Sequence, residues 1–326
     1  MSMTYDELRK KLKGPVHLVM TPVTADEEID FKALEELIKT QVKRFEGHDC
    51  VFLAGGSTAE FYNFTDEMFY KYVDTVVKAV DGKFPLVMGT ARPGTKYTIK
   101  LSQYAEKAGV DGIMIVNTYY HAATDECVYN HYKAIAESVK CGLVIYNNPI
   151  ATKLYLYPDM LKRLSKIPNI VGLKENTDKP QMFASIYRAI DPNDMTVFTG
   201  LGESFFQYTA MHGSRAFVTD LANYLPEKAF AIYEAGCRED YKAMAAMNDE
   251  LDVLERFKGK VAGNQHVSTT LSAYLPVGGQ PIYQSFVKEA MKLVGLPVGK
   301  MMSPMYNLSD DEIAELKDIM KGLGAI

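Results

Sequence analysis

Short apolar runs and amphipathic stretches alternate along the chain, and each pair reads as a strand followed by a helix. Val16–Thr21 is the first run, broken by Pro22, and it predicts a strand. The next stretch sets Leu34, Leu37, Ile38, Val42 and Phe45 at i, i+3, i+4 spacing, the buried stripe of a helix. Cys50–Ala54 predicts the second strand. Beyond the loop Gly55–Phe64, Thr65 is placed to cap a helix with Asp66 and Glu67 in its first turn and Val73, Val76, Val77 and Val80 facing inward. Leu86–Met88 and Gly112–Val116 predict the third and fourth strands. The helix between them carries Leu101, Tyr104, Ala105 and Ala108 on one side and stops at Gly109.

Gly142–Tyr146, Ile170–Leu173, Thr196–Thr199 and Ala216–Thr219 complete eight strands. Ile170–Leu173 is nearly all apolar, which implies a strand covered on both faces. Eight strand–helix units in succession predict an α/β chain closed into a (β/α)8 TIM barrel at residues 1–225, rather than an open doubly wound sheet. From Pro226 onward helical patterns dominate. Val287, Ala290, Met291 and Val294 form one stripe before Gly295 and Pro297. Ser309-Asp-Asp-Glu312 is a capping box opening a last helix with Ile313, Leu316, Ile319 and Met320 inside. Residues 226–326 are expected to form a C-terminal α-helical extension of about three helices packed on the barrel.

Composition narrows the class. The 326 residues are 47% hydrophobic, enough for a large core. A net charge of −5 without a Lys/Arg block argues against nucleic acid or an anionic membrane as partner. No apolar run approaches the roughly 20 residues of a membrane span, and Met1–Lys13 lacks the apolar core of a signal peptide, so a soluble, cytoplasmic protein is expected. Cys50, Cys127, Cys141 and Cys237 include no C-x-x-C pair and read as buried free thiols. The six histidines show no metal-ligand spacing, and neither a metal nor another cofactor is expected.

Barrel active sites lie at the C-terminal ends of the strands, and there the unusual polar residues of this chain gather. Thr21, Ser57, Tyr120, Tyr146, Lys174 and Thr219 are expected to face one bowl. Lys174 ends the apolar run Ile170–Leu173, where a lysine is either a functional amine or a misplaced charge. Tyr146 ends the preceding strand in the same way, before the turn Asn147-Asn-Pro149.

Four motifs in order, Gly56-Ser-Thr-Ala-Glu60, Tyr119-Tyr120, Tyr146-Asn-Asn-Pro149 and Gly172-Leu-Lys-Glu175, resemble the signatures of the dihydrodipicolinate synthase/N-acetylneuraminate lyase family. The resemblance runs from about Val16 to Asn223 and more weakly through the C-terminal helices. It implies a (β/α)8 barrel, a homotetramer built as a dimer of dimers, and a Schiff base between a lysine and pyruvate or a larger 2-oxo acid. By position, the resemblance makes Lys174 the Schiff-base residue and Tyr146 the proton-transfer residue. Ser57 and Thr58 would grip the keto acid's carboxylate, and Ser57 would link Tyr146 to Tyr120 of the neighbouring subunit.

The chemistry stands without the family. A lysine attacks a carbonyl only as the neutral amine, and burial lowers its pKa by desolvating the charged form. The iminium so formed is an electron sink for the C3–C4 bond, and a base must take the proton of the C4 hydroxyl. Backbone N–H groups at Gly55-Gly56-Ser57-Thr58 can hold the carboxylate. Glu60 and Glu175 read as structural, Glu175 being turned by strand alternation toward the helices.

Departures from the family pattern bear on the substrate. Where the synthases have an arginine just after the Tyr-Asn-x-Pro turn, this chain continues Ile150-Ala151-Thr152. Where the sialic acid lyases have an Asp-Glu pair, it has Gly202-Glu203, and Ala59 and Thr118 replace the usual glycine and proline. Asn176, Glu203 and Asp220 are expected at the distal end of the substrate, where acidic groups favour hydroxyls over a second carboxylate. The leading expectation is aldol cleavage or formation of a hydroxylated 2-oxo acid, such as a 2-keto-3-deoxy sugar acid or a sialic-acid-like compound. A dehydratase, a deaminase or a dihydrodipicolinate synthase would use the same lysine enamine. Thr199-Gly-Leu-Gly202 also raises a phosphate-handling barrel, and a silent keto-acid sensor is a third class.

Overall fold

The computed structural model describes residues 3–265 and 282–326. Eight parallel strands, β1 (Gly14–Leu18), β2 (Val51–Ala54), β3 (Leu86–Gly89), β4 (Gly112–Val116), β5 (Gly142–Asn147), β6 (Ile170–Glu175), β7 (Thr196–Thr199) and β8 (Ala216–Thr219), close into a barrel in chain order. Closure is made by β8 against β1, with Gly14 opposite Ala216 and Val16 opposite Val218. This is the (β/α)8 barrel with C-terminal helices that the periodicity predicts.

The helices are α1 (Tyr5–Lys11), α2 (Phe31–Phe45), α3 (Asp66–Val80), α4 (Thr95–Ala108), α5 (Asp125–Ser138), α6 (Pro149–Thr152), α7 (Pro158–Leu164), α8 (Pro180–Ala189), α9 (Gly202–Ala210), α10 (Pro226–Cys237), α11 (Tyr241–Asn264), α12 (Tyr283–Leu293) and α13 (Asp310–Gly322). Their ends follow the expected chemistry. Thr65 caps α3 by accepting from Met68 N–H at 3.2 Å, α4 stops at Gly109 with φ +110°, and the Ser309/Glu312 box opens α13. Among the described residues, no helix is long and apolar enough to cross a membrane.

Several features differ from the sequence reading: β2, β3 and β5 shift by one residue at an end, and Cys127 and Cys237 are exposed rather than buried because they lie on the outer helices α5 and α10. The first strand is Gly14–Leu18 rather than Val16–Thr21, because pairing with β2 ends at Leu18 while the buried residues beyond it turn into the loop. The sixth strand runs two residues past Leu173, since Lys174 and Glu175 stay in register with Phe198 and Thr199. Helix α1 is an addition, opened by a Thr4/Glu7 capping box that hydrophobic periodicity does not reveal in so short a segment. Its Leu8 plugs the N-terminal end of the barrel. A Cβ on Gly112 or Gly142 would stand 2.5 or 2.7 Å from Leu8 Cδ2, so both strands begin with glycine.

At the other end, α11 and α12 lean over the strand termini. Phe257 and Tyr224 pack on Phe286 with ring centroids 6.1 and 5.8 Å away. Side chains of both helices thereby reach the bowl.

Candidate active site

Strand β6 delivers Lys174 to the floor of a cavity of about 610 Å³ at the C-terminal end of the barrel. Lys174 is only 5% exposed, its α-carbon is paired with that of Tyr146, and its Nζ lies 4.0 Å from the Tyr146 ring centroid. Burial lowers its pKa to about 7, so near neutrality a large fraction is the neutral amine.

Glu175 points the other way, as alternation requires. Its carboxylate accepts from Asn147 Nδ2 at 2.8 Å and from Thr177 N–H at 2.9 Å, and burial raises its pKa to about 8. Asn147 in turn holds Leu156 through its amide and carbonyl, fixing the loop below the site. Glu175 therefore positions β6 and stays out of the cavity.

Tyr146 is buried, which pushes its hydroxyl above the ordinary range. Its Oη accepts a hydrogen bond from Asn148 Nδ2 at 2.8 Å. Ser57 lines the cavity, but among the described residues its side chain makes no hydrogen bond to Tyr146. Thr58 Oγ1 lies 3.2 Å from Tyr283 Oη.

Ser57 and Thr58 sit on a 3-10 turn, Ser57–Ala59, that follows β2. The Gly56 carbonyl closes this turn by accepting from Ala59 N–H, so Gly56 contributes backbone geometry rather than cavity surface. Glu60 ends it in the left-handed region at φ 61°. Helix α12 grips this loop from above. Gln284 Nε2 donates to the Ser57 carbonyl at 3.1 Å, and Lys288 Nζ forms a fully buried ion pair with Glu60 at 2.5 Å. The second Glu60 oxygen accepts from Met302 N–H at 2.9 Å. Glu60 is structural, as its sequence context suggests.

The distal half of the cavity is polar. Asn176 Oδ1 is buried there without a hydrogen-bond partner among the described residues. Gly200 makes room for it, since a Cβ at position 200 would stand 1.8 Å from that oxygen and 2.7 Å from Lys174 Cε. Glu203 and Asp220 also line the wall. Burial and the Asp220 charge raise the Glu203 pKa to about 7, and the Thr219 hydroxyl donates to its carboxylate. Lys258 of α11 joins them, bonded to Glu255 at 2.5 Å. Burial lowers its pKa, yet Asp220, Glu255 and Glu203 outweigh that effect and raise it. Ile150 and Ala151 of α6 line the cavity as well.

The fold thus brings Lys174, Tyr146, Ser57, Thr58, Asn176, Glu203 and Asp220 around one cavity. It does not bring Thr21, Tyr120 or Thr219 to the cavity surface. Thr21 is buried and donates to the Ala59 carbonyl at 2.8 Å, and Thr219 acts through Glu203. Tyr120 is 72% exposed on the outer surface beside His121. Sequence reasoning missed Asn148, Lys258, Tyr283 and Gln284. Only Asn148 had a local signal, its place next to Asn147 in the turn after Tyr146.

The chain is similar to one family along nearly its whole length. The profile of the dihydrodipicolinate synthetase family matches residues 11–323. The 4-hydroxy-tetrahydrodipicolinate synthase of Acetivibrio thermocellus is 30% identical over 309 residues, 94% of this chain and 96% of that protein. The enzyme of the same name from Syntrophus aciditrophicus is 28% identical over 315 residues, 96% of this chain and 99% of that one. Among solved structures, YagE, a prophage protein of the dihydrodipicolinic acid synthase family from E. coli K12 in complex with pyruvate, superimposes with a TM-score of 0.83 at 25% identity, over 96% of this chain and 99% of that one. Dihydrodipicolinate synthase from Oceanobacillus iheyensis shares the fold at a TM-score of 0.85 and 22% identity, over 99% and 100% of the two chains.

Proposed function

The chain belongs to the dihydrodipicolinate synthetase family, and from that premise we propose that it is a Schiff-base lyase that breaks or makes the C–C bond between pyruvate and an aldehyde. The observation that carries this reading is Lys174, buried in the cavity with its pKa lowered to about 7.

In the cleavage direction, neutral Lys174 attacks the keto carbon, and the carbinolamine hydroxyl takes the Tyr146 proton and leaves as water, giving an iminium and a Tyr146 phenolate. Tyr146 accepts the proton of the C4 hydroxyl. The C3–C4 electron pair flows into the iminium, and the aldehyde departs, leaving an enamine. Protonation at C3 and hydrolysis release pyruvate and free Lys174. Ser57 and Thr58 hold the carboxylate, which orients the carbonyl toward the amine.

The distal wall supports a hydroxylated substrate such as a 2-keto-3-deoxy sugar acid. Among the described residues Asn176 Oδ1 is an acceptor lacking a donor, and Glu203 and Asp220 are further acceptors. A substrate with a second carboxylate would meet Ile150 and Ala151 rather than a cation just after the Tyr146–Pro149 turn. Tyr120, exposed on its own protomer, is available to enter a neighbouring subunit's site in a homotetramer.

The test is a panel of 2-oxo acids assayed for pyruvate by a coupled dehydrogenase. Pyruvate release from a hydroxylated 2-keto-3-deoxy acid supports the lyase. Loss of water or ammonia without pyruvate would replace it with the dehydratase or deaminase reading.

A further inference from the structure

We propose that Asn148 is a positioning residue for proton transfer, holding an N–H donor on the Tyr146 oxygen so that the phenolate can form and act at C3 of the bound keto acid. The inference rests on the Schiff-base reading above.

The orientation of the Asn148 amide is fixed by its own backbone. Asn148 is the N-cap of α6, and its Oδ1 accepts from Ala151 N–H at 3.2 Å. Oxygen and nitrogen of an amide are otherwise interchangeable by shape. With the oxygen committed to the cap, Nδ2 is the atom left to face Tyr146, and it donates to Oη at 2.8 Å. The turn Tyr146-Asn-Asn-Pro149 therefore divides its labour. Asn147 faces outward to Glu175 and Leu156, and Asn148 faces the catalytic oxygen.

A donor on Oη has two effects. It leaves the Tyr146 proton free to point into the cavity, and it favours the phenolate over the phenol. Other groups near the ring act differently. Glu175 on β6 opposes the phenolate through its charge, Lys174 on β6 faces the ring rather than the oxygen, and Tyr283 on α12 bonds Thr58. Burial also opposes the phenolate, and the Asn148 donor works against both effects.

The proton steps balance. Tyr146 O–H protonates the carbinolamine hydroxyl, which leaves as water, yielding iminium and phenolate. The phenolate then takes a proton from C3. The C–H electron pair becomes the C2=C3 bond and the iminium π pair returns to nitrogen, giving a neutral enamine and restoring the phenol. Reversal in D2O places deuterium on C3, so pyruvate alone reports the step.

The experiment compares wild type, Asn148→Asp and Asn148→Ser. Asp and Ser both cap the α6 turn. Asp sets an acceptor against Tyr146 in place of the donor, and Ser does not reach it. Methyl exchange of pyruvate in D2O is followed by NMR, and equilibrium borohydride trapping of pyruvate on Lys174 is measured in parallel. Exchange is expected to fall ~100-fold in Asn148→Asp and ~10-fold in Asn148→Ser, with its pH profile moved to higher pH, while trapping stays within about twofold and thermal melting is unchanged. Exchange within about twofold of wild type in both variants, or a fall in exchange matched by an equal fall in trapping, would overturn the role of Asn148. Absence of a Lys174 adduct in the wild type would instead overturn the Schiff-base reading, and this inference with it.

Discussion

Lys174 Nζ stands 4.0 Å from the centre of the Tyr146 ring, and the two residues are paired in register across β5 and β6. The residues proposed as nucleophile and proton-transfer group are thus set by sheet geometry. Burial lowers the Lys174 pKa from 10.5 to about 7, so the neutral amine accumulates as pH rises through 7. The initial rate of Schiff-base formation should climb about tenfold per pH unit below that value and level off above it. Stopped-flow or quenched trapping across pH 5–9 checks this. A rate that keeps climbing toward pH 10 would mean an ordinary lysine.

Gly200 is the residue that lets Lys174 and Asn176 coexist. A methyl group there would meet Asn176 Oδ1 at 1.8 Å and Lys174 Cε at 2.7 Å, and the backbone of β7's exit is fixed by a Gly200 N–H bond to the Glu175 carbonyl at 2.8 Å. Gly200→Ala should cut pyruvate trapping by ~100-fold, since a displacement of about 1 Å at the reacting atom is costly. Trapping at the wild-type rate would show that the loop yields instead.

The Lys288–Glu60 pair ties α12 to the turn that carries Ser57 and Thr58. Both side chains are buried, at 1% and 0% exposure, and Lys288 also donates to the Lys300 carbonyl. Removing one partner leaves the other charge buried and unpaired. Lys288→Met should cost about 3–5 kcal/mol by denaturant unfolding, and adding Glu60→Gln should recover part of that loss. Equal stability of the single and double variants would deny the coupling.

Glu203 supplies a pH-dependent stability difference. Its folded-state pKa is raised from 4.5 to about 7, first by burial and then by Asp220. A raised carboxyl favours the fold while protonated, and that advantage is lost as pH rises through the folded value. Glu203→Gln should therefore gain stability relative to wild type between pH 5 and pH 8. Urea midpoints of the two proteins at both pH values measure the difference. A gap that narrows over that range would contradict the assignment.

The barrel was legible because each strand is a short apolar run and each helix carries one apolar stripe. Ile170–Leu173 announced β6, although the strand runs on through Lys174 to Glu175. What the pattern hid were contacts set by long-range packing. Tyr283 meets Thr58, and Lys288 meets Glu60, across 225 and 228 residues of chain. No local periodicity encodes such pairs, nor does it bring Lys258 to Asp220 and Glu203. Asn148 lay in plain view, but its role depends on which way its amide turns, which only the cap with Ala151 decides.

The central claim is that Lys174 forms a Schiff base with a 2-oxo acid. Borohydride reduction in the presence of pyruvate, followed by mass spectrometry of the intact chain and its peptides, addresses it most directly. The expected result is one pyruvate-derived adduct on the peptide containing Lys174, absent in Lys174→Ala. No adduct with pyruvate or with larger 2-oxo acids, in protein that remains folded, would contradict the account.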